Sequence, residues 1–201
     1  MPKLGLVINC CYIYSMSSKY KFADDSKLYF ISFSVVYWID LFTRTDYCKV
    51  LLDSFTYCEK NKGMELYAYC IMLSHVHLIL GSNNEPIADI MRDFKSFTSR
   101  SLRKAITGDE SESRKEWMLW MMKRAGAKSS HHRDFQLWQE GNHPVELTTP
   151  GIARQKLEYL HNNPVAAGLV HQPEHWRYSS ASNYMGQHSE RDVIILDALY
   201  G

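Results

Sequence analysis

Two histidines two residues apart, His75 and His77, stand in the stretch Ser74-His75-Val76-His77-Leu78-Ile79-Leu80. Strand side chains alternate between faces, so a strand here puts both imidazoles on one face, roughly 7 Å apart at Cα, with Val76 opposite. Two imidazoles that close can bind one divalent cation once a third ligand arrives from another element. The same spacing also suits two histidines at the end of an edge strand, each satisfied by water or a carboxylate. Tyr159 and Asn163 lie four residues apart on a predicted helix and therefore share a face. Asn163 also reads simply as a helix terminus. His131 and His132 are adjacent in a loop pattern, where histidines are usually just exposed.

The elements that must position these groups follow from periodicity. Residues 28–38 are aromatic and β-branched and read as a first strand. Tyr47, Val50, Leu51, Phe55 and Cys58 give 43–60 a helical stripe, ended by Asn61-Lys62-Gly63. Residues 64–72 form a second strand, and with only Leu73 and Ser74 intervening, 75–80 folds back as its hairpin partner. The histidines thus open a central antiparallel strand. Pro86 starts a helix over 87–106, with Ile87, Ile90, Met91, Phe94, Phe97 and Leu102 on its apolar face. A second helix, 113–124, is predicted to pack through Trp117, Trp120 and Met121, and 125–133 reads as a mobile loop. Residues 135–138 suggest a short strand, followed by a turn at Gly141-Asn142-His143-Pro144. Thr149 as N-cap and Pro150 at the first helical position begin a helix that Pro164 should end at 162 or 163. The stretches 165–170 and 176–184 read as irregular.

Composition sets bounds on function. A chain of 201 residues, 45% hydrophobic and 22% charged, is long enough for one domain with a sizeable core. A net charge of +1 means that any basic surface must come from local segregation. Such segregation exists between 92 and 104, where Arg92, Lys95, Arg100, Arg103 and Lys104 face one acid, Asp93. Most runs of this kind are solvated helix faces. Cys10, Cys11, Cys48, Cys58 and Cys70 are odd in number and lack a Cys-x-x-Cys pair, which argues against a disulfide framework or zinc knuckle and for a reducing cytoplasm. No apolar run approaches the roughly 20 residues of a membrane span. Residues 1–15 fit a signal peptide poorly and are expected to be an extension outside the fold, ahead of a functional start at Met16.

Three separated motifs carry a family likeness. Residues 69–80 (Tyr-Cys-Ile-Met-Leu-Ser-His-Val-His-Leu-Ile-Leu), 159–170 (Tyr-Leu-His-Asn-Asn-Pro-Val-Ala-Ala-Gly-Leu-Val) and Trp176-Arg-Tyr-Ser-Ser180 together resemble the single-tyrosine HUH transposases of insertion sequences. The nearest branch is the REP-associated tyrosine transposases. The likeness spans 16–186, leaving 187–201 as a C-terminal tail. It implies an α+β fold, a ferredoxin-like or RRM-like antiparallel sheet with packed helices. It also implies His75, His77 and Asn163 as metal ligands, Tyr159 as nucleophile, single-stranded DNA bearing a hairpin as partner, and a cytoplasmic protein associated with the nucleoid when on DNA. Relatives include monomers and homodimers. Many have proline or asparagine before the first histidine where this chain has Leu73-Ser74, a change expected to touch the turn and leave the ligand face intact.

With those roles, two imidazoles and an amide oxygen suit a divalent ion with positions open to substrate, so Mg²⁺ or Mn²⁺ fits better than structural zinc. Attack by tyrosine leaves a 5′-phosphotyrosine and a free 3′-hydroxyl, and a second 3′-hydroxyl can reverse the step. The phenol, with an ordinary pKa of about 10, needs help that no sequence feature names. Arg92, Lys95, Arg100, Arg103, Lys104, Lys115, Lys123 and Arg124 would track phosphates, with Arg177, Trp138, Trp176 and Tyr178 as candidates for stacking or for holding the tyrosine helix. Two alternatives stand beside this reading. One is a hairpin-binding protein that has lost transposition, and the other a metal-dependent hydrolase using His75, His77 and the His131-His132 pair.

Overall fold

Residues 22–129 and 134–196 are described by the computed structural model. The expected extension 1–15, Cys10, Cys11, His131, His132 and the end of the tail lie outside them. The chain runs β1 (Tyr29–Ser34), α1 (Thr45–Lys62), β2 (Met64–Ile71), β3 (His75–Ser82), α2 (Ile87–Gly108), α3 (Lys115–Lys128), β4 (Val145–Glu146), α4 (Pro150–Ala166) and α5 (Ala181–Tyr184). The four-stranded sheet has the order β2-β3-β1-β4 with antiparallel neighbours, the ferredoxin-like α+β arrangement. β3 is therefore central, paired with β1 on one side (His77 opposite Ser32, His75 opposite Ser34) and β2 on the other (His77 opposite Cys70).

The alternation along each strand sorts the sheet into two faces. Tyr29, Ile31, Phe33, Leu66, Tyr69, Ile71, Val76, Leu78 and Leu80 belong to the larger core, which α1, α2 and α3 cover. Phe30, Ala68, Cys70, Met72 and Ile79 point the other way, toward Ala153 and Leu160 of α4. The two histidines share this second face, so the fold itself brings α4 against them. Gly63 ends α1 at φ 74° and leads straight into β2. A side chain there would meet Asn83 and Asn84 at 2.5 Å, which reserves the position for glycine. The Leu73-Ser74 turn is tight, Met72 N–H donating to His75 O at 2.8 Å.

Several expectations are corrected. β1 stops at Ser34 because the chain turns at Val36–Trp38, where Tyr37 and Trp38 take positive φ. On α2, Phe97 is 53% exposed and Thr98 is fully buried instead; its hydroxyl donates to Phe94 O at 2.7 Å and accepts from Trp138 Nε1 at 3.0 Å. That local satisfaction lets a polar residue continue the four-residue stripe of Ile90, Phe94, Leu102 and Ile106. On α3 the inward residues are Met118, Met122 and Ala125, while Trp117 and Trp120 are exposed; the helix includes 125–128, read from sequence as loop. Residues 135–138 form no ladder strand. Their backbone is held by Val36 N–H donating to Leu137 O at 2.8 Å, and the fourth strand is the unforeseen Val145–Glu146. α4 continues through Pro164 to Ala166, because burial of Leu160, His161 and Pro164 outweighs the local preference against helix before proline. Residues 187–196 are not a free tail, since Ile194 N–H donates to Leu66 O at 3.0 Å and Leu196 is buried. Together with Ile71 N–H donating to Tyr178 O and Ser180 N–H to Tyr69 O, both at 2.9 Å, they cover the outer edge of β2.

Among the described residues Cys48, Cys58 and Cys70 are buried free thiols. No described helix is long and apolar enough to cross a membrane.

One buried ion cluster ties α1 to the start of α3. The Glu112 side chain is 1% exposed and accepts from Arg44 Nε at 2.9 Å and Arg114 Nε at 3.0 Å. Hydrogen bonds from Arg114, then from Arg44, hold its carboxyl down at about 2. The unfolded chain binds this proton near pH 4.5 and the native state only near 2, so the stabilisation is complete above pH 4.5 and is lost as pH falls toward 2. It amounts to about 2–3 kcal/mol. Urea midpoints of wild type and Glu112→Gln measured from pH 6 to pH 3 are expected to differ clearly at pH 6 and to converge on acidification.

Candidate active site

His75 and His77 lie where β3 leaves the hairpin, and their rings meet edge to face with centroids 4.9 Å apart. α4 starts on Thr149, whose hydroxyl accepts from Ile152 N–H at 3.2 Å, and carries Pro150 in its first turn. Nearly three turns along, Tyr159 faces the sheet, its ring 5.4 Å from that of His77 and 5.9 Å from that of Phe30. Asn163, one turn further, brings its side chain close enough to His75 to act on that ring's titration. The four residues singled out in the sequence are thus brought together at one spot.

The helix is fixed there by groups that periodicity passes over. His161 Nε2 lies 2.9 Å from Ser180 Oγ, which accepts from Tyr69 N–H at 3.0 Å on β2. Trp176, half-buried, donates from Nε1 to Ile71 O at 3.0 Å. The Trp-Arg-Tyr-Ser-Ser run therefore works as a strap between the tyrosine helix and the edge of the sheet. Trp138 is buried in the main core, and Tyr178 donates its hydroxyl to Thr45 at 3.1 Å.

The electrostatics of the pair are set by burial. His77 is 3% exposed and stacks on Phe30 at 5.5 Å, and neither of its ring nitrogens has a hydrogen-bond partner among the described residues. Burial, then the neighbouring His75 and Lys156, keep it neutral far below the ordinary histidine range. Burial also lowers His75, against the opposing effect of the Asn163 side chain. Two neutral imidazoles, His75 half-buried and His77 buried with both nitrogens unpartnered, fit cation ligation, since a metal ligand must be deprotonated and an unpaired buried nitrogen is otherwise costly. Among the described residues no three His, Cys, Asp or Glu side chains converge, so such an ion would take two imidazoles and the Asn163 amide.

Lys156 escaped the sequence reading. It sits one turn before Tyr159 on the same face, with Nζ 5.1 Å from the Phe30 ring centroid and 5.7 Å from that of Tyr159. The signal available was its three-residue spacing from the tyrosine.

The predicted DNA contacts fall into distinct settings. Arg100, Arg103 and Lys104 are exposed on α2, and the first two line a groove of about 760 Å³ between α2 and residues 135–142. Arg103 stacks over Phe135 at 4.7 Å. Lys123 and Arg124 are exposed on α3, Arg124 lying over Trp120. Arg92 is shared by Asp89 and Asp93, and Arg177 pairs with Glu190 at 2.5 Å. Lys95 is turned inward and donates to Gln139 O, Gly141 O and Asn142 Oδ1 at 2.8–3.2 Å; burial brings its ammonium down to about 8. It stitches α2 to the loop before β4.

Residues 29–125, from the first strand through most of α3, match the family model "Transposase IS200 like". Over that stretch, just under half of the chain, the sequence is similar to IS200-like transposases. The stretch matched by the transposase family includes both histidines and ends before the tyrosine helix. The fold extends further: a REP-associated tyrosine transposase, solved bound to a REP hairpin, superposes with a TM-score of 0.61 at 17% identity, covering 91% of this chain and 96% of that one. A protein from Deinococcus radiodurans R1 assigned to the transposases gives 0.44 at 19% identity, over 72% of this chain and 96% of that one. No curated protein matches in sequence.

Proposed function

We propose that this chain is a transposase of the REP-associated branch. On this reading it cuts and rejoins single-stranded, hairpin-bearing DNA through a 5′-phosphotyrosine on Tyr159, with Mg²⁺ or Mn²⁺ held by His75, His77 and Asn163. One observation carries the reading: the Tyr159 ring packs on buried His77, whose two ring nitrogens have no hydrogen-bond partner among the described residues, with the His75 ring beside it. A bound divalent ion would neutralise and orient the attacked phosphate. All three ligands are uncharged, so none of the cation's charge is cancelled before the phosphate arrives.

The protein's own groups do the rest. Tyr159 is 40% exposed, so the residue is reachable by a substrate from solvent. Its oxygen bonds to phosphorus as the phenolic proton departs; the bond from phosphorus to the 3′ oxygen breaks, and that oxygen takes up a proton. Phe30 and the His77 ring wall the nucleophile on the sheet side, which limits its rotamers. Lys156 puts a positive charge beside the developing phosphotyrosine. Because the phosphoryl bond is kept in the covalent link, a second 3′-hydroxyl can take the phosphate back without ATP.

Lys156→Met is expected to slow adduct formation by about 100-fold. It should also reduce the dependence of log affinity on log salt by about 0.7 for single-stranded DNA crossing the site. Cation affinity should hold or rise, since a charge beside His77 is removed. Anisotropy titrations at several salt concentrations check the slope, and Mn²⁺ titration checks the cation.

The whole reading is tested by incubating the protein with Mn²⁺ and labelled single-stranded hairpin DNA from the flanks of its own gene, then resolving it on a denaturing gel. Expected is a metal-dependent covalent adduct whose labelled peptide contains Tyr159. Strand scission with no adduct would instead establish a hydrolase, and tight binding with neither would establish a hairpin binder.

A further inference from the structure

Between β1 and α1 two bulky residues adopt a conformation they ordinarily avoid. Tyr37 and Trp38 both have φ of 55°, in the left-handed region where a large side chain crowds the backbone. Neighbouring groups impose this. Val35 N–H donates to Ser74 O at 2.8 Å, Val36 N–H to Leu137 O at 2.8 Å and Trp38 N–H to Val35 O at 3.0 Å, while Val35, Val36 and Ile39 are buried on either side. Asn or Gly would make the same turn with less strain. The chain instead holds two aromatic rings there, 43% and 41% exposed.

Their position gives the strain a use. The Trp38 ring meets His75 edge-on at 5.5 Å, His75 meets His77 at 4.9 Å, and His77 meets Tyr159 at 5.4 Å. The exposed pair is therefore continuous with the candidate active site, on the side of the histidines away from Tyr159. Next to it lies a hollow of about 420 Å³ lined by Tyr37 and Trp38 with Lys128, Gln136, Gln139 and Glu140. An exposed aromatic face and a lysine, two rings along from a phosphate-attacking tyrosine, match the chemistry of an unpaired nucleotide, a π-face to stack and a phosphate to pair, while Gln136 and Gln139 are held by Trp138 O and Val35 O and serve to shape the hollow. Glu140 is the one acid there and disfavours a phosphate lying directly on it.

We propose that Tyr37 and Trp38 form a stacking platform for an unpaired nucleobase that flanks the phosphate attacked by Tyr159. The inference rests on the DNA-cleavage reading above and adds to it the recognition of single-stranded substrate. Held rigid before DNA arrives, the rings lose little freedom on binding. Stacking accepts any base, so the platform recognises strandedness and position, and sequence is read elsewhere.

The test is binding without chemistry. Anisotropy in metal-free buffer compares a hairpin alone with the same hairpin carrying a single-stranded extension across the cleavage site. Wild type is expected to prefer the extended DNA. Trp38→Ala and Trp38→Gly should each lose about tenfold or more for it, with hairpin-only affinity unchanged, and Trp38→Phe should keep most of the preference. The glycine variant fits the backbone, so a loss there cannot come from strain. A scan of single abasic sites should find one position that reproduces the loss and adds nothing to Trp38→Ala. The platform is overturned if wild type shows no preference, if alanine and glycine variants bind both DNAs like wild type, or if both DNAs weaken equally. Wild type that binds neither DNA would overturn the cleavage reading together with the platform.

Discussion

Tyr159→Phe is expected to bind hairpin DNA as tightly as wild type and to form no covalent adduct at all. The substitution deletes the oxygen that attacks phosphorus and leaves the ring, which makes the contacts with Phe30 and His77. At 40% exposure, losing one hydroxyl changes stability by about 0.5 kcal/mol or less. Strand cleavage and strand transfer should disappear together, because both pass through the same phosphotyrosine. A denaturing gel with labelled DNA and Mn²⁺ measures the adduct, and anisotropy in the same buffer measures binding. Cleavage that persists in the variant would point to water as nucleophile and remove Tyr159 from the chemistry.

The second large effect combines a loss with a gain. His77→Leu is expected to abolish metal-dependent stabilisation and cleavage while making the metal-free protein more stable by about 1–2 kcal/mol. Each buried, unpartnered ring nitrogen of His77 carries a desolvation cost of about 1–3 kcal/mol. Leucine removes both and still packs against Phe30 and Tyr159, although it forfeits the ring stack on Phe30. Urea unfolding should show a higher midpoint with an unchanged slope. Mn²⁺ at about 100 times its dissociation constant should raise wild-type stability by ~2.7 kcal/mol and leave the variant where it was. A variant that is much less stable than wild type without metal would show that the ring nitrogens are satisfied in the apo protein, contrary to the assigned site.

The candidate site was largely legible before any coordinates. A strand alternates its faces and a helix repeats every four residues, so His75 with His77, and Tyr159 with Asn163, were already on common faces. The two-residue connection at Leu73-Ser74 left an antiparallel hairpin as the natural pairing, which made the histidine strand a central one. The Thr149-Pro150 start placed the beginning of the tyrosine helix. Elsewhere the local pattern misled. Phe97, Trp117 and Trp120 are apolar enough to be read as core, yet the core took Thr98, Met118 and Met122, whose directions match the neighbouring elements. Lys95 counts as a surface charge in any sequence tally, and only the loop at 139–142 folding over it shows that its ammonium is held by carbonyls.

By itself the sequence determined which residues share a face within each element, because that depends only on backbone periods of 2 and ~3.6 residues. It left open which faces meet. α4 lies against the second face of the sheet because Leu160 and Ala153 bury themselves against Ile79, Ala68 and Cys70, and because His161 reaches Ser180 across the strap at 176–180. The contacts of α4 with the sheet join residues 74 to 92 positions apart and the His161–Ser180 contact spans 19, and local periodicity carries no information about either. The left-handed turn at Tyr37 and Trp38 and the charge of Lys156 beside Tyr159 were decided the same way. Each is a local arrangement held in place by packing from elsewhere in the chain.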